Sequence, residues 1–338
     1  ENGATLTIEP GTIIKGAMGT STNASALIVA IGGKLIANGT ETNPIIFTSV
    51  SDEISLEQIQ NGDFSSPNLN VNDNGLWGGL VILGEAPIST SNTPTQIEGI
   101  PTTNINGRYG GFDSLDNSGV LRYISIRHGG TNIGSGNEIN GLTLGGVGKS
   151  TVIENIEILS NQDDGIEFFG GNVDVKNLIV TNVGDDAIDI DQSWGGTLDN
   201  FVVICGNATD HALEVDGPEG NYINETSQVL NGTIKGNNNS EIADFRDQAR
   251  GDFNSIYFYN FPNPNTDKGD FSLSPSSELN FQENKLKFSN LQITTSNQLD
   301  SIFKNGTHVH VANVVLNTIG ANVNVFNNWT WTMQNSML

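Results

Sequence analysis

A five-residue pattern returns along the middle of this chain at nearly constant spacing. Asn140-Gly141-Leu142-Thr143-Leu144 recurs as Asp164-Gly165-Ile166-Glu167-Phe168, Asp186-Ala187-Ile188-Asp189-Ile190 and His211-Ala212-Leu213-Glu214-Val215. The leading positions lie 24, 22 and 25 residues apart (164−140, 186−164, 211−186). Each copy opens on a polar residue and a Gly or Ala, then alternates apolar with polar. A second series keeps step with it: Asn155-Ile156-Glu157-Ile158, Asn177-Leu178-Ile179-Val180 and Asn200-Phe201-Val202-Val203. Two short strands per repeat of about two dozen residues, with no helical segment between them, predict an all-β fold, a right-handed parallel β-helix. Coils in such a stack lie about 4.8 Å apart, so residues that share a column become neighbours. Function in such a chain is sought in columns rather than in linear motifs.

The pattern organises most of the 338 residues, which read as one elongated domain over 1–338. Early rungs fall at Leu6 to Lys15, Ala26 to Ala30, Lys34 to Ala37 and Pro44 to Thr48, separated by glycine corners such as Pro10-Gly11 and Gly32-Gly33. Strands resume at Trp77 to Leu83, and regular coils are expected from Leu121 to about Val215. Polar or proline-bearing stretches near 51–74, 86–118, 216–227 and 260–284 read as loop excursions from the coil. Alternation of Val323, Val325, Trp329 and Trp331 predicts a capping strand at about 322–333 that seals the coil end. The recurrent Asn155, Asn177, Asn200 and Asn231 are expected to stack at one corner and satisfy backbone groups there. Ile156, Ile158, Leu178, Val180, Phe201, Val203, Ile166, Ile188 and Leu213 are expected to fill the coil.

Charge narrows the function classes. Lys and Arg number 14 against 38 Asp and Glu, a formal charge of −24. That balance excludes nucleic acid phosphates and docking on anionic lipid. It suits an extracellular surface where divalent cations screen carboxylates. Cys205 stands alone, which rules out an intrachain disulfide, and it shares a column with Ser160 and Asn182, so it reads as a packed free thiol. No stretch is long and apolar enough to cross a membrane. The first residues already read as a rung, from which a preceding export signal, removed on maturation, is expected. Gly148-Lys149-Ser150 mimics the end of a phosphate-binding loop, but Thr143 stands where the first Gly belongs and no helix is expected to follow, so no nucleotide site is read there.

The acidic column is the sharpest candidate site. Glu167, Asp189 and Glu214 hold one position on three consecutive coils, and the apolar residues flanking each direct them outward. Two carboxylates one rung apart repel by about 1 kcal/mol in water and about 3–4 kcal/mol at an effective dielectric of 20. Compensation is therefore expected, either from Arg246, placed in the same column one coil later, or from Ca²⁺. Asp163, Asp164, Asp185, Asp186 and Asp189 are the metal-ligand candidates, all hard oxygen donors close in sequence. The competing reading is a solvated acidic face, with strand-end Asp residues capping backbone N–H groups.

Two resemblances bear on function. Gln162-Asp163-Asp164, Asp185-Asp186, Asp210-His211-Ala212 and Arg246-Asp247-Gln248 fall in the order of the active-site motifs of the polygalacturonase family of pectin-cleaving β-helix hydrolases. That resemblance implies an inverting glycoside hydrolase using Asp164, Asp185, Asp186 and His211. The departures are the missing Asn and Thr of the first motif, the replaced glycines around His211, and Gln248 where the family has a substrate-binding Lys. A lyase needs a basic residue on the cation-binding face, and Arg127, His128, His211, Arg246 and Arg250 are the main ones available. Arg127-His128 reads as a corner.

A longer resemblance covers about residues 75–200. Trp77-Gly78-Gly79-Leu80, Tyr109-Gly110-Gly111, Asp116-Asn117-Ser118-Gly119, Asn140-Gly141-Leu142 and the block Asp163 to Gly171 are similar to a group of Bacteroidota cell-surface β-helix proteins, often lipoproteins. Trp329-Thr330-Trp331-Thr332 is similar to their ends. The resemblance implies an outer-membrane location and no assigned enzymatic activity. Asp113-Ser114-Leu115 and Asp300-Ser301-Ile302 also fit an O-glycosylation pattern of that phylum. The leading expectation is thus an extracellular, non-catalytic binding, adhesion or assembly module. Its expected partners are a polysaccharide or an outer-membrane protein complex, with Glu167, Asp189, Glu214 and Arg246 facing the ligand; no cofactor is required, and Ca²⁺ is the one candidate. The alternative is the hydrolase.

Overall fold

The computed structural model describes residues 2–133, 139–223 and 226–338. Its strands stack in parallel into two long sheets that enclose one apolar interior, the right-handed parallel β-helix expected from the repeat. One sheet is built of short strands, in the order Leu27–Val29, Leu80–Leu83, Leu142–Gly145, Ile166–Phe169, Ile188–Asp191, His211–Val215, Glu241–Phe245 and Phe271–Leu273. The other is built mainly of long strands that bend in the middle, among them Gly119–Arg127, Val152–Leu159, Val175–Thr181, Thr197–Ile204, Gln228–Lys235 and Gly251–Tyr259.

The bend has a local cause. In each long strand one residue takes a left-handed conformation: Tyr123, Asn155, Asn177, Asn200, Asn231 and Ser255, with φ between 50° and 65°. Asn accepts this region more readily than other side chains because its amide bonds nearby groups. Here the amides also bond each other. Asn177 Nδ2 donates to Asn155 Oδ1 at 2.9 Å, and Asn200 Nδ2 donates to Asn177 Oδ1 at 2.8 Å. Asn231 leaves the ladder and donates to Asp199 Oδ1 instead. The next corner carries a similar column, His128, Ser160 and Asn182, all at positive φ. Cys205 continues it; burial pushes its thiol up to about 12, which keeps it protonated and inert.

Register follows the repeat. Ile166 pairs Ile188, Glu167 pairs Asp189 and Asp189 pairs Glu214; Ile156, Leu178 and Phe201 stack in the long-strand sheet. All nine residues expected inside the coil are buried. The coils extend past Val215 to the strand Val311–Asn313. The stretch near 260–284 is only partly an excursion, since it contributes the rung Phe271–Leu273 and the helix Pro275–Gln282. Two inward side chains, Phe271 and Leu273, make too short an alternation to stand out in the sequence. The 51–74 excursion carries the helix Leu56–Gln60, started by a capping box on Ser55. The 86–118 excursion folds back as an antiparallel ribbon, Thr95–Gln96 with Arg108–Tyr109.

The expected capping strand at 322–333 is not a strand. That segment forms the 3₁₀ turn Val323–Phe326 and the helix Trp331–Gln334, and it lies along the side of the coil rather than across its end. Asn322 and Thr330 cap these turns. The outward face of the long-strand sheet carries Ile46, Ile179, Val202 and Ile204, and Phe326 and Trp329 cover them. Beneath the same segment lies Arg127, read from the sequence with His128 as a corner, and it is paired there with a buried carboxylate. Arg127 and Glu157 are fully buried, Nη2 to Oε2 at 3.5 Å, with Thr332 N–H donating to Glu157 at 2.9 Å and Trp331 over the guanidinium at 5.2 Å. Sequence alternation suggested a strand because Trp and Val repeat every second residue; uncovered apolar sheet surface and good helix caps decide otherwise.

Leu178 sits at the centre of this stack. Leu178→Asp places an unpaired charge between Ile156 and Phe201 and is expected to abolish the cooperative thermal transition seen by circular dichroism; an unchanged transition would refute the register.

Candidate functional site

The column that carries Glu167 reads Ile28, Val81, Thr143, Glu167, Asp189, Glu214, Asp244 and Ser272 along the short-strand sheet. Its side chains point away from the interior, as alternation requires, yet they are not solvated. Glu167, Asp189 and Glu214 are only 5 %, 8 % and 7 % exposed. The 86–118 excursion lies over the N-terminal part of this face, packing Ile88, Ile97 and Tyr109 on Val81, Leu83 and Phe169. Gly170 and Gly171, both at positive φ, end the strand where the excursion meets it. A Cβ on Gly170 would stand 2.8 Å from Ile88 Cγ2, and Gly171 N–H donates to Pro87 O. The solvated acidic face is thereby corrected: loop packing takes these carboxylates out of water.

Burial and mutual repulsion shape their protonation. Desolvation raises Glu167 and Asp189 well above the usual carboxylate range, and each neighbouring carboxylate adds to it. Asp191 is lifted to about 7 by burial and by Asp216 and Glu219, against the pull of Arg246. Arg246 does not occupy the column one coil after Glu214; Asp244 does. Arg246 lies just past that strand and reaches back. Its guanidinium contacts Glu214 and grips Asp216 in a fork, Nε–Oδ1 2.9 Å and Nη2–Oδ2 3.1 Å. Arg246 therefore compensates one end of the column and leaves Glu167 and Asp189 to other means.

The coil-end carboxylates act on the backbone. Asp164 Oδ1 accepts the N–H of Asp186 at 2.9 Å, and Asp186 Oδ1 accepts the N–H of His211 at 2.8 Å. Each caps the next coil, which accounts for the Asp at the head of these two repeats. Asp186 Oδ1 also meets His211 Nδ1 at 2.8 Å, with Glu214 at 3.3 Å and Glu241 at 3.5 Å from the ring. Burial disfavours the imidazolium, but the Asp186 hydrogen bond and the surrounding charges outweigh it and lift His211 to about 9. At neutral pH His211 is thus a cation among acids, with both ring nitrogens committed.

The five metal-ligand candidates do not form one site. Asp163, Asp164 and Asp185 converge at the coil end, Asp164 and Asp189 converge with Glu167, and Asp186 converges with His211 and Glu214. In each trio, one ligand atom per residue lies within 4.8 Å of the others. The four residues of the hydrolase reading fall close together, but Asp164 and Asp186 are buried as backbone acceptors. An inverting acid–base pair must flank a substrate.

A groove of about 760 Å³ opens where the 86–118 and 216–227 excursions meet, and none of those four residues lines it. Phe112, 91 % exposed, and Tyr222, 43 % exposed, stand in it with Thr90, Ser91, Asn221 and Gln248. The excursions are joined beneath it by hydrogen bonds from Tyr109 Oη to Gln192 (3.1 Å), from Gln192 to Glu219 (3.3 Å) and from Gly220 N–H to Ser89 Oγ (3.1 Å). Sequence reasoning missed this groove because its walls come from loops more than a hundred residues apart; the available signal was an aromatic residue in each excursion, Phe112 in one and Tyr222 in the other.

Stacked parallel strands of this order and register define the chain as a β-helix solenoid with loop excursions on the outer faces of both sheets. Its sequence matches, over residues 1–334, the family described as pectate-lyase like beta helix domain, and the chain belongs to that family. No curated protein and no solved structure matches it. No helix among the described residues is long and apolar enough to cross a membrane.

The site gives the fold an unusual pH dependence. His211 holds its proton more tightly folded than unfolded, so its contribution is complete below its unfolded pKa of 6.5 and is lost as pH rises through about 9. Asp216, raised to about 6 by burial and by Asp247 and Asp244, likewise favours the folded state below the unfolded value of 3.8 and loses that contribution through pH 6. Melting midpoints should therefore fall from pH 6.5 to pH 9.5, and His211→Gln should flatten that slope; an unchanged slope in the variant would refute the assignment.

Proposed function

We propose that the chain is a non-catalytic glycan-binding module displayed outside the cell, with the groove between the 86–118 and 216–227 excursions as its ligand face. The exposed rings of Phe112 and Tyr222 carry this reading. A folded chain gains nothing by holding a Phe in water at a loop tip, whereas aromatic faces stack on the apolar C–H faces of sugars. Hydroxyl and amide groups of Thr90, Ser91, Asn221 and Gln248 around the rings suit sugar hydroxyls. Glu219 on the groove wall and the acidic column behind it disfavour an anionic uronate and favour a neutral glycan.

Commitment of Asp164 and Asp186 to the backbone speaks against the polygalacturonase-like alternative. Extracellular display rests on the charge of −24 and on the resemblance to Bacteroidota surface proteins. An adhesive role, or one inside an outer-membrane assembly, is compatible with the same groove.

Titration calorimetry against a panel of plant and algal polysaccharides and their oligomers tests this. At least one neutral glycan should bind, and Phe112→Ala and Tyr222→Ala should each weaken it by about tenfold, or ~1.4 kcal/mol. Release of reducing ends that disappears in a folded Asp186→Asn variant would overturn the reading in favour of the hydrolase.

A further inference from the structure

We propose that Asp164, Glu167 and Asp189 form a buried site for one divalent cation of the calcium class, enclosed between the short-strand sheet and the 86–118 excursion. This site is independent of the glycan groove. Glu167 and Asp189 are register partners on adjacent coils, and Asp164 heads the coil of Glu167. One carboxylate oxygen from each lies within 4.8 Å of those of the other two. All three residues are more than nine-tenths buried.

A second observation points to a ligand rather than to a mere acidic cluster. Asp189 Oδ1 is buried and has no hydrogen-bond donor among the described residues. On the other side of Glu167, Asn140 donates its Nδ2 to that carboxylate, and the Oδ1 of the same amide is also buried without a donor among the described residues. One unpaired oxygen within the trio and another on the amide that contacts Glu167 leave room for a positive partner, because a buried acceptor left unpaired is costly. The cations nearby are spoken for. Arg246 holds Glu214 and Asp216, His211 holds Asp186, and Lys268 holds Asp210. Glu98 of the covering excursion and Asp191 bring further negative charge.

The donor set selects the ion. It offers only hard oxygens and neither a ring nitrogen nor sulfur, which excludes a preference for zinc or copper. Donors drawn from sheet columns have spacings set by the coil, not by an octahedron. Calcium accepts such irregular sets of six to eight oxygens, while magnesium demands regular geometry and keeps its waters. Asn140 Oδ1, after rotation of its amide, adds a neutral ligand. Occupation would tie the excursion to the coil, and the metal would act as a staple rather than a reactant.

The test uses the full chain after chelator treatment, titrated with CaCl₂ and separately with MgCl₂, read by calorimetry and by thermal melting. Calcium should bind at one ion per chain and lift the melting midpoint by several degrees at millimolar concentration, with magnesium at least about tenfold weaker. Asp189→Asn and Glu167→Gln keep the shape and remove one charge each. Both should melt above the wild type in chelator and lose the calcium response, so that calcium reverses the order of stability. Asp185→Asn, at the exposed member of the coil-end trio and outside the proposed ligand set, should keep it. No binding by the wild type at millimolar calcium would assign the trio to shared protons and overturn the proposal. So would calcium binding that survives both Asp189→Asn and Glu167→Gln, or that vanishes in Asp185→Asn alone.

Discussion

Everything in this molecule depends on in-register stacking at one rung spacing. A parallel coil places like on like: whatever residue a repeat carries at one position meets its counterpart in the next coil at about 4.8 Å. For apolar side chains that is a gain, and the interior from Leu142 through Ile166 and Ile188 to Leu213 is continuous for this reason. For amides it is also a gain. The Asn155–Asn177–Asn200 ladder bonds itself while holding three residues in a conformation few side chains tolerate. For carboxylates it is a cost, and the acidic column shows how a solenoid contains it.

Three devices share that cost. The coil-end acids Asp164 and Asp186 are turned onto backbone N–H groups of the following coil, which converts charge into capping. His211 enters the head position of the next repeat as a cation, in contact with Asp186, Glu214 and Glu241. Arg246 closes the far end on Glu214 and Asp216. Glu167 and Asp189 lie between these devices and under the excursions, and there the repulsion is least relieved. Residues that resemble a hydrolase's acids are present in order along the chain, and two of them, Asp164 and Asp186, also cap backbone N–H groups of the following coil.

Much of the coil was legible in the sequence because period and polarity repeat. Spacing alone aligned Glu167, Asp189 and Glu214, placed Leu178 and Phe201 inside and put the asparagines at a corner. What escaped was whatever depends on contacts between distant segments. The outward direction of the acids was readable from alternation, but their burial was not, since it is imposed by loops such as 86–118 whose own sequence has no period. Arg246 was misplaced by two residues, because alternation gives Asp244 and Arg246 the same outward direction and nothing in sequence fixes which of them pairs with Glu214. Trp329 and Trp331 alternate like a strand, yet Trp329 covers the outward-facing Ile179 and Val202 of the long-strand sheet and Trp331 lies over Arg127. The buried Arg127–Glu157 pair was hidden for the same reason.

If repulsion within the buried column is the constraint, it must appear as coupling between Glu167 and Asp189. The direct measurement is a double-mutant cycle of Glu167→Gln and Asp189→Asn, by chemical denaturation in chelator at neutral pH. Each substitution should stabilise the fold, and the double variant should gain less than the sum of the two by about 1 kcal/mol or more, because the first already removes the repulsion. Additivity within about 0.5 kcal/mol, or destabilisation by both single changes, would mean that these carboxylates do not oppose each other and that the column is not under strain.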